Sequence, residues 1–115
     1  MSMIKFETIY EGSTFLEQRF ALYENGEPVT LAGADVLVHV KRKNDPDVIE
    51  ATYATAGESP KLTLSGNEIV MPEHVPTLEP GKYVLDFNIT FATGHKETGF
   101  LQGEWEILNP VTHRS

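Results

Sequence analysis

The chain has 115 residues, which is the length of one domain and is enough to bury a core without metals or crosslinks. Its 17 acidic and 9 basic residues give a net charge of −8, which argues against duplex DNA or an anionic membrane as partner, since both need clustered Lys and Arg. The chain has no cysteine, so disulfides, Cys-ligated zinc, iron–sulfur clusters and thiol nucleophiles are excluded.

The N-terminal residues lack the apolar stretch of a signal peptide, and no run approaches the roughly 20 apolar residues that a transmembrane helix needs. We therefore expect a protein that is made and kept in the cytoplasm, unless it leaves as part of a larger particle.

Hydrophobic residues in the first half of the chain alternate with a period of two, which predicts β-strands. The Asn25-Gly26 pair is the strongest short signal for a β-hairpin. A turn is expected at residues 44–47, where Asn, Asp and Pro cluster. The strands predicted for this half cover residues 4–10, 14–23, 29–31, 35–43 and 48–54.

The second half contains the most regular alternation, over residues 83–91, followed by a turn and a long strand over 96–108. Residues 62–64 and 69–71 are predicted to form a hairpin around Ser65-Gly66-Asn67. The proline-rich residues 72–81 are predicted to form a loop with one short helical turn around 73–75.

About eight short strands, frequent turn signals and the absence of a long helical pattern predict an all-β protein. The expected architecture is an immunoglobulin-like antiparallel β-sandwich, with a small closed barrel as the structural alternative. We expect one domain over residues 1–110 and a flexible C-terminal tail over 111–115.

A tyrosine-corner arrangement is predicted where the loop enters the strand over residues 83–91. Pro80 and Gly81, preceded by Leu78, form a tight turn, and Tyr83 opens the strand on its inward face. A buried tyrosine hydroxyl needs a partner, and a backbone carbonyl of the preceding loop can supply it. This structural role is favoured over ligand contact for Tyr83.

Four stretches resemble, in the same order, a family of small β-sandwich modules of bacteriophage virions. This family is typified by the N-terminal domain of siphophage baseplate upper proteins and by similar prophage tail and neck proteins. The stretches are EGSTF at residues 11–15, NGEPVTLAGA at 25–34, LEPGKY at 78–83 and WEIL at 105–108.

The resemblance implies a structural protein that helps to assemble tails, baseplates or receptor-binding appendages, with no catalytic residues and no cofactor. In the baseplate proteins the module usually heads a longer chain, whereas here the chain stops after the sandwich. The resemblance therefore implies a free-standing component of the virion. The implied partners are other virion proteins and further copies of the chain, without nucleic acid or membrane. A tail, neck or baseplate adaptor is favoured over a capsid decoration protein.

The residues themselves indicate no enzyme. His39, His74, His95 and His113 lack metal-ligand spacing, and no serine-nucleophile motif or phosphate-binding loop is present. The acidic residues of the first quarter fall on scattered outward positions rather than as an opposed pair in a cleft. We therefore expect neither catalysis nor a bound metal.

Two sets of residues are candidates for an interface. The basic run Lys41-Arg42-Lys43 is either the charged end of a strand or a docking patch, which in a ring could face the acidic 24–27 turn of the next subunit. The second set consists of apolar residues predicted to lie on the solvent-facing side of their strands. They either form an interface patch or are buried at the ends of the sandwich. The apolar candidates are Phe15, Tyr23, Leu37, Phe100 and Leu108.

The alternative function is a carbohydrate-binding or adhesin-type sandwich, which would stack sugars on exposed aromatic rings. Trp105 and Ile107 are predicted to lie on the same inward face of their strand, so Trp105 is expected in the core. Tyr10, Tyr23 or Tyr53 would then have to form the sugar platform.

Overall fold

The computed structural model of the chain describes residues 2–57 and 60–109, which form eleven strands and no helix. None of the described residues lies in a helix of the length and apolarity needed to cross a membrane. The predicted C-terminal tail falls outside the described residues. The strands are β1 (Ser2–Lys5), β2 (Ile9–Tyr10), β3 (Gln18–Ala21), β4 (Tyr23–Glu24), β5 (Glu27–Pro28), β6 (Asp35–Arg42), β7 (Asp45–Ala54), β8 (Thr63–Ser65), β9 (Glu68–Met71), β10 (Gly81–Thr90) and β11 (Lys96–Leu108).

The strands form two sheets and a separate hairpin. The large sheet has the order β1-β11-β10-β6-β7, with β2 also paired to β11, and the small sheet has the order β3-β9-β8. The hairpin is formed by β4 and β5 alone. This division of strands between two sheets is that of an immunoglobulin-like sandwich, so the predicted all-β sandwich is confirmed.

The N-terminal strands depart from the antiparallel arrangement, because β1 and β2 both pair in parallel with β11. The link between them also follows β11, since the amide of Phe6 donates to the carbonyl of Glu104 at 2.9 Å. The indole Nε1 of Trp105 donates to the carbonyl of Glu7 at 3.1 Å. The N-terminal segment therefore covers the core next to Trp105.

The alternation predicted for the central strands is confirmed. Tyr83, Leu85, Phe87 and Ile89 of β10 are buried on one face, and the residues between them are half-buried or exposed on the other. The inward face of β6 supplies Val36, Val38 and Val40 to the same core. The Asn25-Gly26 turn is also confirmed, since it joins β4 to β5 with φ angles of 54° and 81°.

The prediction for residues 14–17 assigns the wrong side chains to the core. Phe15, predicted to face outward, is 0% exposed, whereas its neighbour Leu16 is 58% exposed. Phe15 instead exchanges two backbone hydrogen bonds with His74, at 2.7 and 3.0 Å, in an isolated antiparallel bridge. Because a shift of one residue inverts both faces of an extended chain, this bridge turns Phe15 into the core.

Three local predictions are also wrong. The helical turn around residues 73–75 does not form, because the backbone of His74 is held extended by the bridge to Phe15. The strand predicted over 29–31 is replaced by the two-residue β5, and the turn predicted at 44–47 is tighter. Only residues 43 and 44 form that turn, and β7 starts at Asp45 with Arg42 as its partner.

The inverted phase gives a direct test with two adjacent residues. We expect Phe15→Ala to lower the free energy of unfolding by about 3–5 kcal/mol, because it removes a buried aromatic ring and leaves a cavity. Leu16→Ala should change it by no more than about 0.5 kcal/mol, because its side chain is largely in solvent. Urea unfolding of both variants measures the difference, and equal losses would contradict the observed burial.

Candidate interaction surface

The turn before β10 is held by the hydroxyl of Tyr83. This hydroxyl donates to the backbone carbonyl of Glu79 at 2.5 Å, which is the kind of partner that the sequence predicts for it. Tyr83 and Leu78 are both buried, and Gly81 has a φ of 152° that other residues rarely adopt. The arrangement has the position and contact of a tyrosine corner, so Tyr83 is occupied structurally.

Arg42 packs against this corner from the neighbouring strand. Its guanidinium carbon lies 5.2 Å from the ring centroid of Tyr83, and its Nη1 donates to the carbonyl of Pro80 at 3.3 Å. Its Nη2 forms an ion pair with the carboxylate of Glu79 at 3.3 Å. A Cβ on Gly81 would lie 2.5 Å from Nη1, so a side chain there would displace Arg42 from these contacts. Arg42 therefore stabilises the corner.

The other two residues of the basic run also have partners within the chain. Lys41 forms an ion pair with Asp86 at 3.3 Å, across β6 and β10 on the outer face of the large sheet. Lys43 lies 3.6 Å from the carboxylate of Glu104 and remains the more exposed of the two lysines. Of the three basic residues, Lys43 is thus the one most accessible to another molecule.

Lys43 contributes to a polar cleft that we call the lysine cleft. Lys5, Lys43 and Lys82 line it together with Glu104 and Glu106, and its volume is about 140 Å³. The cross-strand partner of Lys82 is Glu106, and the partner of Lys5 on β1 is Glu104. These lysines are far apart in the sequence, so only the pairing of β1, β10 and β11 brings them together.

The predicted apolar candidates separate into different environments. Tyr23 is 64% exposed on the β4–β5 hairpin, and Leu37 is 37% exposed on the outer face of the large sheet. Phe15 is buried in the core, so the prediction that it belongs to an interface is wrong. The side chain of Phe100 lies outside the described residues, and Leu108 is half-buried at the end of β11.

Two exposed apolar residues that sequence reasoning missed lie on β7. Val48 and Ile49 are 47% and 49% exposed, within a run of exposed residues from Asp45 to Glu50. In the described part of the chain, β7 pairs only with β6, so it forms one edge of the large sheet. The β-rich sequence at 48–54 predicted a strand, but nothing local shows that the strand lies at an edge.

A hydrogen bond between buried Tyr53 and half-buried His74 links β7 to the loop before β10. The hydroxyl of Tyr53 lies 2.9 Å from Nε2 of His74, and Nδ1 of His74 lies 2.7 Å from the carbonyl of Pro72. A carbonyl only accepts, so Nδ1 carries the proton and Nε2 accepts from Tyr53. Burial raises the pKa of Tyr53 to about 12 and excludes it as a sugar platform.

Within residues 2–57 and 60–109, no three His, Asp or Glu side chains converge as a metal site. His95 contacts Glu97 at 3.1 Å on the exposed β10–β11 turn, and His113 lies outside the described residues.

Comparisons of the chain with protein-family models, curated proteins and solved structures find no match in any of the three. Three features of the described surface are therefore the candidates for contact with another molecule: the edge of β7, the β4–β5 hairpin and the lysine cleft.

The raised pKa of Tyr53 predicts how stability depends on pH. Between about pH 10 and 12 the unfolded chain releases the phenolic proton while the native chain retains it, so the free energy of unfolding falls as pH rises. The loss attributable to Tyr53 should be on the order of 2 kcal/mol across this window.

Tyr53→Phe should flatten this decline, whereas Tyr23→Phe, which alters an exposed ring, should leave it unchanged. Urea unfolding at pH 9, 10 and 11 measures both slopes. A decline in Tyr53→Phe as steep as in the unsubstituted protein would contradict the assignment.

Proposed function

We propose that the protein is a non-enzymatic structural component of a bacteriophage virion. In this proposal it is an adaptor or connector of the tail, neck or baseplate that assembles with itself and with other virion proteins. The β-sandwich supplies a rigid body, and its strand edges and loops supply the contacts.

The stretches that carry the resemblance to phage modules support the proposal through their place in the fold. Residues 11–15 lead from β2 to the bridge that buries Phe15, and residues 25–34 contain the hairpin turn and the entry to β6. Residues 78–83 form the tyrosine corner, and residues 105–108 end β11. Each stretch therefore contributes to the shape of the sandwich, as expected of a module that serves as a rigid body.

The observation that carries the proposal is the edge of β7. An edge strand exposes backbone N–H and C=O groups that can pair with another chain. Natural sheets commonly protect such edges with charged residues, yet the middle of this one exposes the adjacent apolar residues Val48 and Ile49. Covering them by a neighbouring subunit would remove apolar surface from water, which stabilises an assembly.

We expect the protein to form a trimer or larger assembly whose fraction grows with concentration. Light scattering on a sizing column at two concentrations measures the mass. Ile49→Lys should shift the distribution toward monomer by about tenfold in dissociation constant, because it places a hydrated charge at the buried centre of the contact.

Leu16→Lys is the matched control, since Leu16 is similarly exposed but does not belong to β7. It should leave the mass distribution unchanged. A monomer at every concentration would contradict self-assembly, and equal effects of the two substitutions would contradict the role of the β7 edge.

A carbohydrate-binding module is the second candidate, and one cleft favours it. Exposed Tyr23 and half-buried Phe91 line a cleft of about 370 Å³ together with the carboxylates of Glu24 and Glu97, which can accept hydrogen bonds from sugar hydroxyls. If the cleft binds sugar, a glycan found by array screening should raise the melting temperature, and Tyr23→Ala should abolish the gain. A glycan effect that persists in Tyr23→Ala would exclude this site.

A further inference from the structure

The β4–β5 hairpin exposes a pair of like charges. All four residues in its two strands are exposed, so the hairpin projects from the sandwich rather than packing on it. Glu24 and Glu27 are direct cross-strand partners, and no cation pairs with either in the described part of the chain. Like charges in this position destabilise a hairpin, and a cation from another molecule would relieve their repulsion.

The hairpin is nevertheless firmly held at its base. The side-chain amide of Asn67 donates to the carbonyl of Leu22 at 3.0 Å, and the amide of Leu22 donates to the carbonyl of Asn67 at 2.8 Å. The amide of Val29 donates to the same carbonyl of Leu22 at 3.0 Å, which closes the hairpin. These contacts orient the acidic tip before any partner binds, which reduces the entropy lost on association.

The lysine cleft lies at the other end of the sandwich. The hairpin borders Phe91, just beyond the end of β10, whereas Tyr83, near the start of β10, lines the lysine cleft. At about 3.3 Å per residue the two ends of this strand are separated by about 25 Å. The hairpin of one chain therefore cannot reach the lysine cleft of the same chain.

The lysine cleft matches a single carboxylate in size and charge. Its volume of about 140 Å³ suits one side chain rather than a chain segment. Three lysines and two glutamates line it, which leaves one positive charge in excess. Lys43 is paired with Glu104, but neither Lys5 nor Lys82 has an ion-pair partner among the described residues.

We propose that the β4–β5 hairpin of one copy docks a glutamate into the lysine cleft of a second copy, in a head-to-tail contact. The inference rests on the proposed function, because it adds to the β7 edge a second self-contact that orients the assembling copies. A contact between opposite ends is heterologous, so repetition produces a ring if it closes and a filament if it does not. Exposed ion pairs contribute little affinity, so this contact orients subunits and weakens with added salt.

Charge reversal on each side of the contact tests the inference. Lys5→Glu/Lys82→Glu and Glu24→Lys/Glu27→Lys should each shift the mass distribution toward monomer, by light scattering, at a concentration where the unsubstituted protein is assembled, because like charges then repel each other across the contact. An equimolar mixture of the two variants should regain assembly, because every hairpin then meets a cleft of opposite charge. Lys61→Glu/Lys96→Glu carries the same change in net charge as Lys5→Glu/Lys82→Glu, at exposed sites outside the cleft, and should remain assembled.

The outcomes separate the two proposals. Assembly that survives both reversals, or a mixture that stays monomeric, would overturn the head-to-tail contact while leaving self-assembly intact. Loss of assembly in the control variant as well would also overturn it, because net charge would then be the cause. An unsubstituted protein that is monomeric throughout would refute self-assembly itself, and this contact with it.

Discussion

The burial of Trp105 between the two sheets is the constraint on which the rest of the structure depends. Its ring centroid lies 5.1 Å from that of Phe6 and 5.1 Å from that of Phe15, both in edge-on arrangements, and Phe6 in turn stacks on Phe20 at 5.1 Å. These rings come from β11, the N-terminal segment, the bridge to the loop before β10, and β3. Removing any of them from the cluster would expose the others, so the N-terminus and that loop are as necessary to the core as the long strands.

This core is apolar, so the charged groups lie at its periphery. Among the described residues, no charged side chain is buried. Three buried residues in the described part of the chain carry a polar side-chain atom: Tyr83 and Trp105 direct it to backbone carbonyls, and Tyr53 directs its hydroxyl to the ring of His74. Charge on the outside is then free to vary locally, from the acidic tip of the hairpin to the lysine cleft at the opposite end.

In the assembly that we propose, the surface features would act at different levels. Backbone and apolar groups at the β7 edge would supply contact area, the main source of affinity in protein interfaces. The hairpin and the lysine cleft would supply charge complementarity, which selects register and direction. The proposed adaptor needs both, because affinity without direction produces aggregates of undefined geometry.

The elements whose signals are local can be predicted from the amino-acid sequence alone. The turn at Asn25 and Gly26 requires positive φ angles, the alternation from Tyr83 onward places one face in the core, and the turn before Tyr83 supplies its hydroxyl with a carbonyl. In each case the residues that carry the signal also make the structure, within about ten positions. The all-β sandwich follows from their sum.

The features that depend on distant partners emerge only when the strands pack together. The phase of Phe15 and Leu16 follows from a backbone bridge to His74, which no local pattern encodes. The lysine cleft joins Lys5 to Lys82 through strand pairing, and the position of β7 at an edge depends on strand order. Strand propensity describes a single chain segment, whereas neighbours, edges and clefts exist only once segments from distant parts of the chain are packed together.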